Sequence, residues 1–243
     1  MSVLTNSALD CAVDATPAPQ HARSKIGVIV CSQREPRAGD QIATFVLETL
    51  RELQKTNPSP RPYELILLDL KDHPLPMYNE PAIPSQIHSA SEYKYPHTRA
   101  WSELISSFQA FVFVTPQYNW GYPASIKNAI DYLFNEWKGK PALVVSYGGH
   151  GGGKAAAQLQ QVLQGLDMQV VKDFVGLKFP DRPFLVKAAK GHDLGLQAAT
   201  DEGHVKADAV IESVDEKQKD AVWAKETKEI GAAFRDLVAL LNS

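Results

Sequence analysis

Ile26-Gly27-Val28-Ile29-Val30-Cys31 is a nearly continuous apolar run rich in β-branched residues. That composition suits a strand buried on both faces of a parallel sheet. Ser32 to Asp40 follows as a polar loop containing Arg34, Pro36, Arg37 and Gly39. Gln41 to Lys55 then sets Ile42, Phe45, Val46, Thr49, Leu50 and Leu53 on one helical face. Asn57-Pro58-Ser59-Pro60 stops that helix, and Tyr63 to Leu68 reads as a second strand. The alternation continues downstream. Trp101, Leu104, Ile105 and Phe108 mark a helix, Ala110 to Val114 a strand, Ala124 to Trp137 a helix, Ala142 to Val145 a strand and Lys154 to Leu166 a helix. A fifth strand opens at Met168-Gln169-Val170-Val171. Between the second strand and the next helix, Asp69 to His97 carries five prolines and reads as a long loop.

Strands alternating with helices predict an α/β domain with a parallel sheet, made three-layered by right-handed crossovers. Five strands suit the flavodoxin-like order 2-1-3-4-5. The length, 243 residues, fits one such domain. We divide the chain into a flexible N-terminal tail, 1–24, and a single domain, 25–243. The domain has an insertion near 183–215 and a final helix from about Glu216 to Leu241. That helix carries Ile230, Phe234, Leu237, Val238 and Leu241 on one stripe. With 44% hydrophobic and 22% charged residues the chain is ordinary globular protein, and a formal charge of −3 lacks the basic face of a nucleic-acid binder. Cys11 and Cys31 are too few for a disulfide framework or a multi-cysteine zinc site. The opening residues lack a basic start and a long apolar run, so no secretory signal is expected, and no stretch approaches the ~20 apolar residues of a membrane helix. The expectation is a cytoplasmic protein.

Ligands of open parallel sheets bind beyond the carboxyl ends of the strands, where three loops of unusual composition fall. Cys31 to Gly39 sets a hydroxyl and two arginines before a helix start. This pattern suits a phosphate, which takes backbone N–H groups, the positive helix end and a bidentate guanidinium; the alternative is a solvated connecting loop. Thr115 to Pro123 combines three aromatics, two amides and two prolines. It would serve a flat heteroaromatic ring, or be a stiff turn that caps the core. Ser146 to Lys154 is glycine-rich and lets backbone approach a ligand closely. Gly148 to Lys154 fits G-x-x-x-x-G-K, but Ala155 stands where a nucleotide hydrolase needs a magnesium-binding hydroxyl. Gly151, Gly153 and Ala156 fit a relaxed dinucleotide pattern, yet follow the fourth strand instead of the first. No G-x-S-x-G or H-E-x-x-H occurs, and the other histidines lack ligand spacing, so no metal site is expected.

Taken together, Ser32-x-Arg34-x-x-Arg37, the long motif from Pro116 to Asp131 and Tyr147-Gly148-Gly149-His150-Gly151-Gly152 resemble the NADPH-dependent FMN reductases, which include flavodoxin-like quinone and azo reductases. The resemblance spans roughly Lys25 to Lys178. It implies FMN as cofactor, NADPH as co-substrate, a homodimer, and a quinone, azo compound or free flavin as acceptor. Carried over by position, Ser32, Arg34 and Arg37 would hold the phosphate. Pro116, Gln117, Tyr118, Asn119 and Trp120 would line the isoalloxazine ring, and Tyr147, Gly148, Gly149, His150 and Gly151 would contact its pyrimidine side. Cys31 stands where the family usually has glycine. Hydride transfer belongs to the cofactor, so no catalytic side chain is assigned. A non-catalytic flavin-binding sensor or adaptor is the rival from another class.

Overall fold

A computed structural model describes residues 23–59, 61–198 and 222–243. The tail assigned to 1–24 lies outside these, apart from Arg23 and Ser24. Residues 199–215 of the insertion and the first turn expected of the last helix also lie outside them. Six parallel strands form one sheet: β1 (Ser24–Val30), β2 (Tyr63–Asp69), β3 (Ala110–Pro116), β4 (Pro141–Gly148), β5 (Gln169–Val170) and β6 (Val175–Lys178). Their order is β2-β1-β3-β4-β5, with β6 also paired to β4. This is the flavodoxin-like arrangement, with its last strand broken in two.

The break is a matter of register. Pro141 pairs with Gln169, an offset of 28, and Val145 pairs with Val175, an offset of 30. Two extra residues therefore loop out between β5 and β6. Because two is an even number, the side-chain alternation survives, and Val171, Val175 and Leu177 all stay buried.

Helices cover both faces. On one side α1 (Gly39–Thr56), α5 (Arg182–Lys190) and α6 (Ala224–Asn242) close a core around Ile26, Val28, Val30, Val112 and Val145. On the other, α2 (Pro96–Ser106), α3 (Ala124–Asp131) and α4 (Gly153–Gly165) close a second core around Ile29, Phe111, Phe113 and Val144. β1 is buried on both faces, as its unbroken apolar sequence demands.

One expectation is corrected. The helix expected to run from Ala124 to Trp137 ends at Asp131, and turns carry the chain onward. Leu133 and Trp137 do not continue a helical stripe. They fold back into the core beside Ile126 and Ile130, where Trp137 meets Phe111 edge-on at 5.1 Å. Both are thus absorbed within the chain's own core. The weakly patterned stretch after Pro183 contains α5, which starts on an N-cap: Asp181 accepts a hydrogen bond from the Phe184 N–H at 2.7 Å.

The long loop before α2 is tied down by side chains. Buried Glu80 accepts from the Lys94 N–H (2.6 Å) and the Thr98 hydroxyl (2.8 Å). Asn128 of α3 bridges the Pro76 carbonyl and the Tyr78 N–H, both at 2.8 Å. Among the described residues no helix is long and apolar enough to cross a membrane, and no three His, Cys, Asp or Glu side chains gather as a metal site.

Candidate active site

The loops after β1, β3 and β4 converge at the carboxyl edge of the sheet. One cavity there is lined by Arg34 and Ala38 from the first, Pro116, Gln117 and Tyr118 from the second, and Tyr147, Gly148 and Gly149 from the third. Segments far apart in sequence therefore meet in one slot, which gathers a guanidinium with aromatic and glycine surfaces.

The first loop divides its polar groups sharply. Ser32 is fully buried, and its hydroxyl lies 3.4 Å from that of Tyr147. Arg37 turns away from the cavity. Its guanidinium clasps the Asp69 carboxylate at the end of β2 through both nitrogens, with one bond at 3.0 Å, and donates to the Ser32 carbonyl at 2.6 Å. The hydrogen bonds that Arg37 donates to Asp69 raise its pKa still further. Arg34 stays at the cavity, where it donates to the Ala189 carbonyl at 3.2 Å. No side chain caps the N-terminus of α1, so its first N–H groups remain available beside Arg34. Gly39 permits this packing: a Cβ there would lie 2.5 Å from the Tyr147 hydroxyl and would also strike Ser32. Burial pushes the Tyr147 phenol up, so it stays a neutral donor.

The second loop is pinned as a tight turn by reciprocal hydrogen bonds between Tyr118 and Gly121 at 2.9 and 3.0 Å. Its Gln117 Oε1 accepts from the N–H groups of Lys154 (3.1 Å) and Ala155 (3.4 Å), capping α4 and fastening the second loop to the third. The third loop turns through Gly152, whose φ is +77°. A Cβ there would lie 3.0 Å from both the N and O of Tyr147.

Asn119, Trp120 and His150 do not line this cavity. They face an adjoining one, which Gln117 shares. Sequence reasoning also missed a wall. Phe179, Leu185, Ala188 and Ala189 close the slot, and three of these belong to α5. A strap holds α5 there: Gln41 of α1 donates to the His192 carbonyl (3.1 Å) and accepts from the Leu194 N–H (2.9 Å), while Gly191 rests on Pro36 and Arg37. The start signal Asp181-Arg182-Pro183 and the stop at Gly191 were in the sequence.

An open parallel sheet in this order, with its cavity beyond the carboxyl ends of the central strands, defines a protein of the flavodoxin-like class. Residues 24–180 match the family model described as NADPH-dependent FMN reductase. The chain belongs to that family. It is 47% identical over 158 residues to the NAD(P)H-dependent FMN reductase LOT6 of Saccharomyces cerevisiae, covering 64% of this chain and 81% of that protein. It is 46% identical over 156 residues to the NAD(P)H-dependent FMN reductase C4B3.06c of Schizosaccharomyces pombe, covering 64% and 74%. An oxidoreductase from Corynebacterium diphtheriae shares the fold, with a TM-score of 0.54 at 15% identity over 90% of this chain and 97% of that one. The protein is accordingly an FMN-dependent oxidoreductase with NAD(P)H as electron donor. The cavity fits that cofactor: a cation and uncapped helix N–H groups suit a phosphate, and a side chain added at Gly148 would meet nothing within 4 Å.

Proposed function

We propose that the cavity between the three loops is the FMN site and that the enzyme passes reducing equivalents from NADPH to a quinone, azo compound or free flavin. Bound FMN supplies the hydride chemistry; the chain supplies binding, orientation and electrostatics. Arg34 and the first turn of α1 take the phosphate. Ser32 and Arg37 act one step back, fixing the loop that presents them. Pro116, Gln117 and Tyr118 flank the ring on one side, and Tyr147, Gly148 and Gly149 on the other, while Gly151 turns the third loop and Asn119, Trp120 and His150 line the adjoining cavity. Donor and acceptor use the same open side in turn, so turnover is ping-pong. The domain assignment, tail 1–24 and one domain 25–243, is part of this reading, as is a cytoplasmic homodimer. The dimer rests on the family resemblance and on the exposed Met77, Tyr78 and Ile83 of the loop before α2.

The observation that carries the proposal is the convergence of Arg34, Gln117, Tyr118, Tyr147 and Gly148 on one cavity. Purified protein should show a flavin spectrum or bind added FMN, and should oxidise NADPH with parallel double-reciprocal lines at several quinone concentrations. A protein that fails to bind FMN in a fluorescence titration sinks the reading. Intersecting lines defeat the shared-side mechanism.

A further inference from the structure

Trp120 is 72% exposed, whereas Trp101, Trp137 and Trp223 are buried. Its backbone φ is +69°, directly after Asn119 at +46°. Two successive non-glycine residues in the left-handed region are costly, and such conformations persist only where the surroundings enforce them. Here the Tyr118–Gly121 turn enforces them, and Gln158 Nε2 donates to the Trp120 carbonyl at 3.2 Å. A constrained turn therefore holds an indole out in water.

Phe174, 37% exposed, lines a cavity together with Trp120 and sits in the segment that the two-residue register change between β5 and β6 loops out of the sheet. That cavity, of about 780 Å³, is also lined by Gly153 and Ala157 of α4 and by His150 and Lys154. No acidic residue lines it, and Lys154 has no carboxylate partner among the described residues. The helix terminus is already occupied by Gln117, so the free attraction for an anion comes from the two side chains. Gln117 lines both this cavity and the proposed flavin cavity, and Gly149 of one precedes His150 of the other.

We infer that this second cavity receives the adenosine 2′-phosphate end of NADPH, with adenine against Trp120 and Phe174 and the phosphate against Lys154 and His150. The inference rests on the reading that the nicotinamide reacts in the adjoining cavity. It adds the element that separates NADPH from NADH. Aromatic surfaces supply stacking for any adenine, and an ammonium–phosphate contact is made only by the 2′-phosphorylated form.

The test is calorimetric titration of the FMN-loaded protein with adenosine 2′,5′-bisphosphate and with adenosine 5′-phosphate. The bisphosphate should bind at least about tenfold more tightly, the effect of a charge-assisted contact. Lys154→Met should abolish the difference and lower the NADPH-to-NADH ratio of kcat/KM about tenfold, whereas Lys154→Arg should keep most of both. Trp120→Ala should weaken both nucleotides about tenfold. Equal binding of the two nucleotides by the unaltered protein overturns the inference. So does a Lys154→Met ratio unchanged from the parent, or displacement of neither nucleotide by NADPH alongside competition by a sulfonated azo dye, which would mark an acceptor pocket. If any of these overturning results appears while NADPH still reduces bound FMN, the inference fails and the proposed function stands. If FMN never binds, the proposed function itself has failed.

Discussion

Replacing Arg34 or Arg37 by alanine removes the same guanidinium from one nine-residue loop, yet the structure predicts opposite consequences. Arg37 and Asp69 are 11% and 14% exposed, and Arg37 also satisfies the Ser32 carbonyl. Arg37→Ala leaves a nearly buried carboxylate and a carbonyl without their partner. Removing one member of a buried pair costs about 3–5 kcal/mol, and the residual exposure places this case near 3. At roughly 2–4 °C per kcal/mol for a chain of this size, Tm should fall by about 6–12 °C. Arg34 makes one exposed bond to the Ala189 carbonyl, so Arg34→Ala should cost at most about 1 kcal/mol of stability. Its effect should appear in binding. Loss of one charge-assisted bond to phosphate is worth about 1.5–3 kcal/mol, or roughly 10- to 150-fold in FMN affinity, with riboflavin affinity little changed. Scanning calorimetry of the cofactor-free variants and quenching titrations of each with both flavins provide these numbers. An Arg37→Ala protein that keeps its Tm but loses FMN selectively would refute the division of labour. It would return Arg37 to the phosphate.

Burial lowers the Lys140 pKa to about 8, below the ~10.4 of an unfolded lysine, so its contribution to stability grows as pH rises from about 8 to 10. Burial also raises Tyr93 and Tyr147, whose contribution is present below pH 10 and lost above it. Urea midpoints should thus rise from about pH 8 to 10 and fall above pH 10, and Lys140→Met should flatten the rise; an unchanged rise would exonerate Lys140. Cys31 is fully buried and burial pushes its thiol well up, so in a Cys11→Ser variant an aromatic disulfide reagent should titrate no thiol until the protein unfolds. Rapid labelling of the folded protein would contradict that. Gly152→Ala should destabilise by about 2–4 kcal/mol, combining left-handed strain with contact against Tyr147, whereas Gly139→Ala, with φ +75° and open space, should cost only the strain of about 1–2. Equal losses in thermal melts would show that the Tyr147 contact is relieved at no cost.

The central strands were legible because burial on both faces writes itself as an apolar run, as in Ile26 to Cys31 and Ala110 to Val114. The converging loops were legible for a related reason: fixing β1, β3 and β4 fixes which loops share an edge. What depended on distant partners was not. Nothing near Arg37 announces that Asp69, 32 residues on, will claim it. The end of α3 at Asp131 is hidden because Leu133 and Trp137 remain apolar after the helix stops; the core requires them whatever the backbone does. The α5 wall was missed although its cap and stop residues were present, since nine residues with two lysines give only a faint apolar stripe.

The divided strand at the end of the sheet has a consequence for how copies of this chain can meet. An edge strand offers a row of free N–H and C=O groups, and a long flat one invites another chain to extend the sheet, the route to aggregation and strand exchange. Here that border consists of two residues, a loop and four more residues, with Phe174 standing in the interruption. A foreign strand could follow β5 or β6 but would lose registry between them. The same two residues that furnish an aromatic wall therefore also make this border a poor template, and association of whole molecules is left to side-chain surfaces instead of backbone ladders.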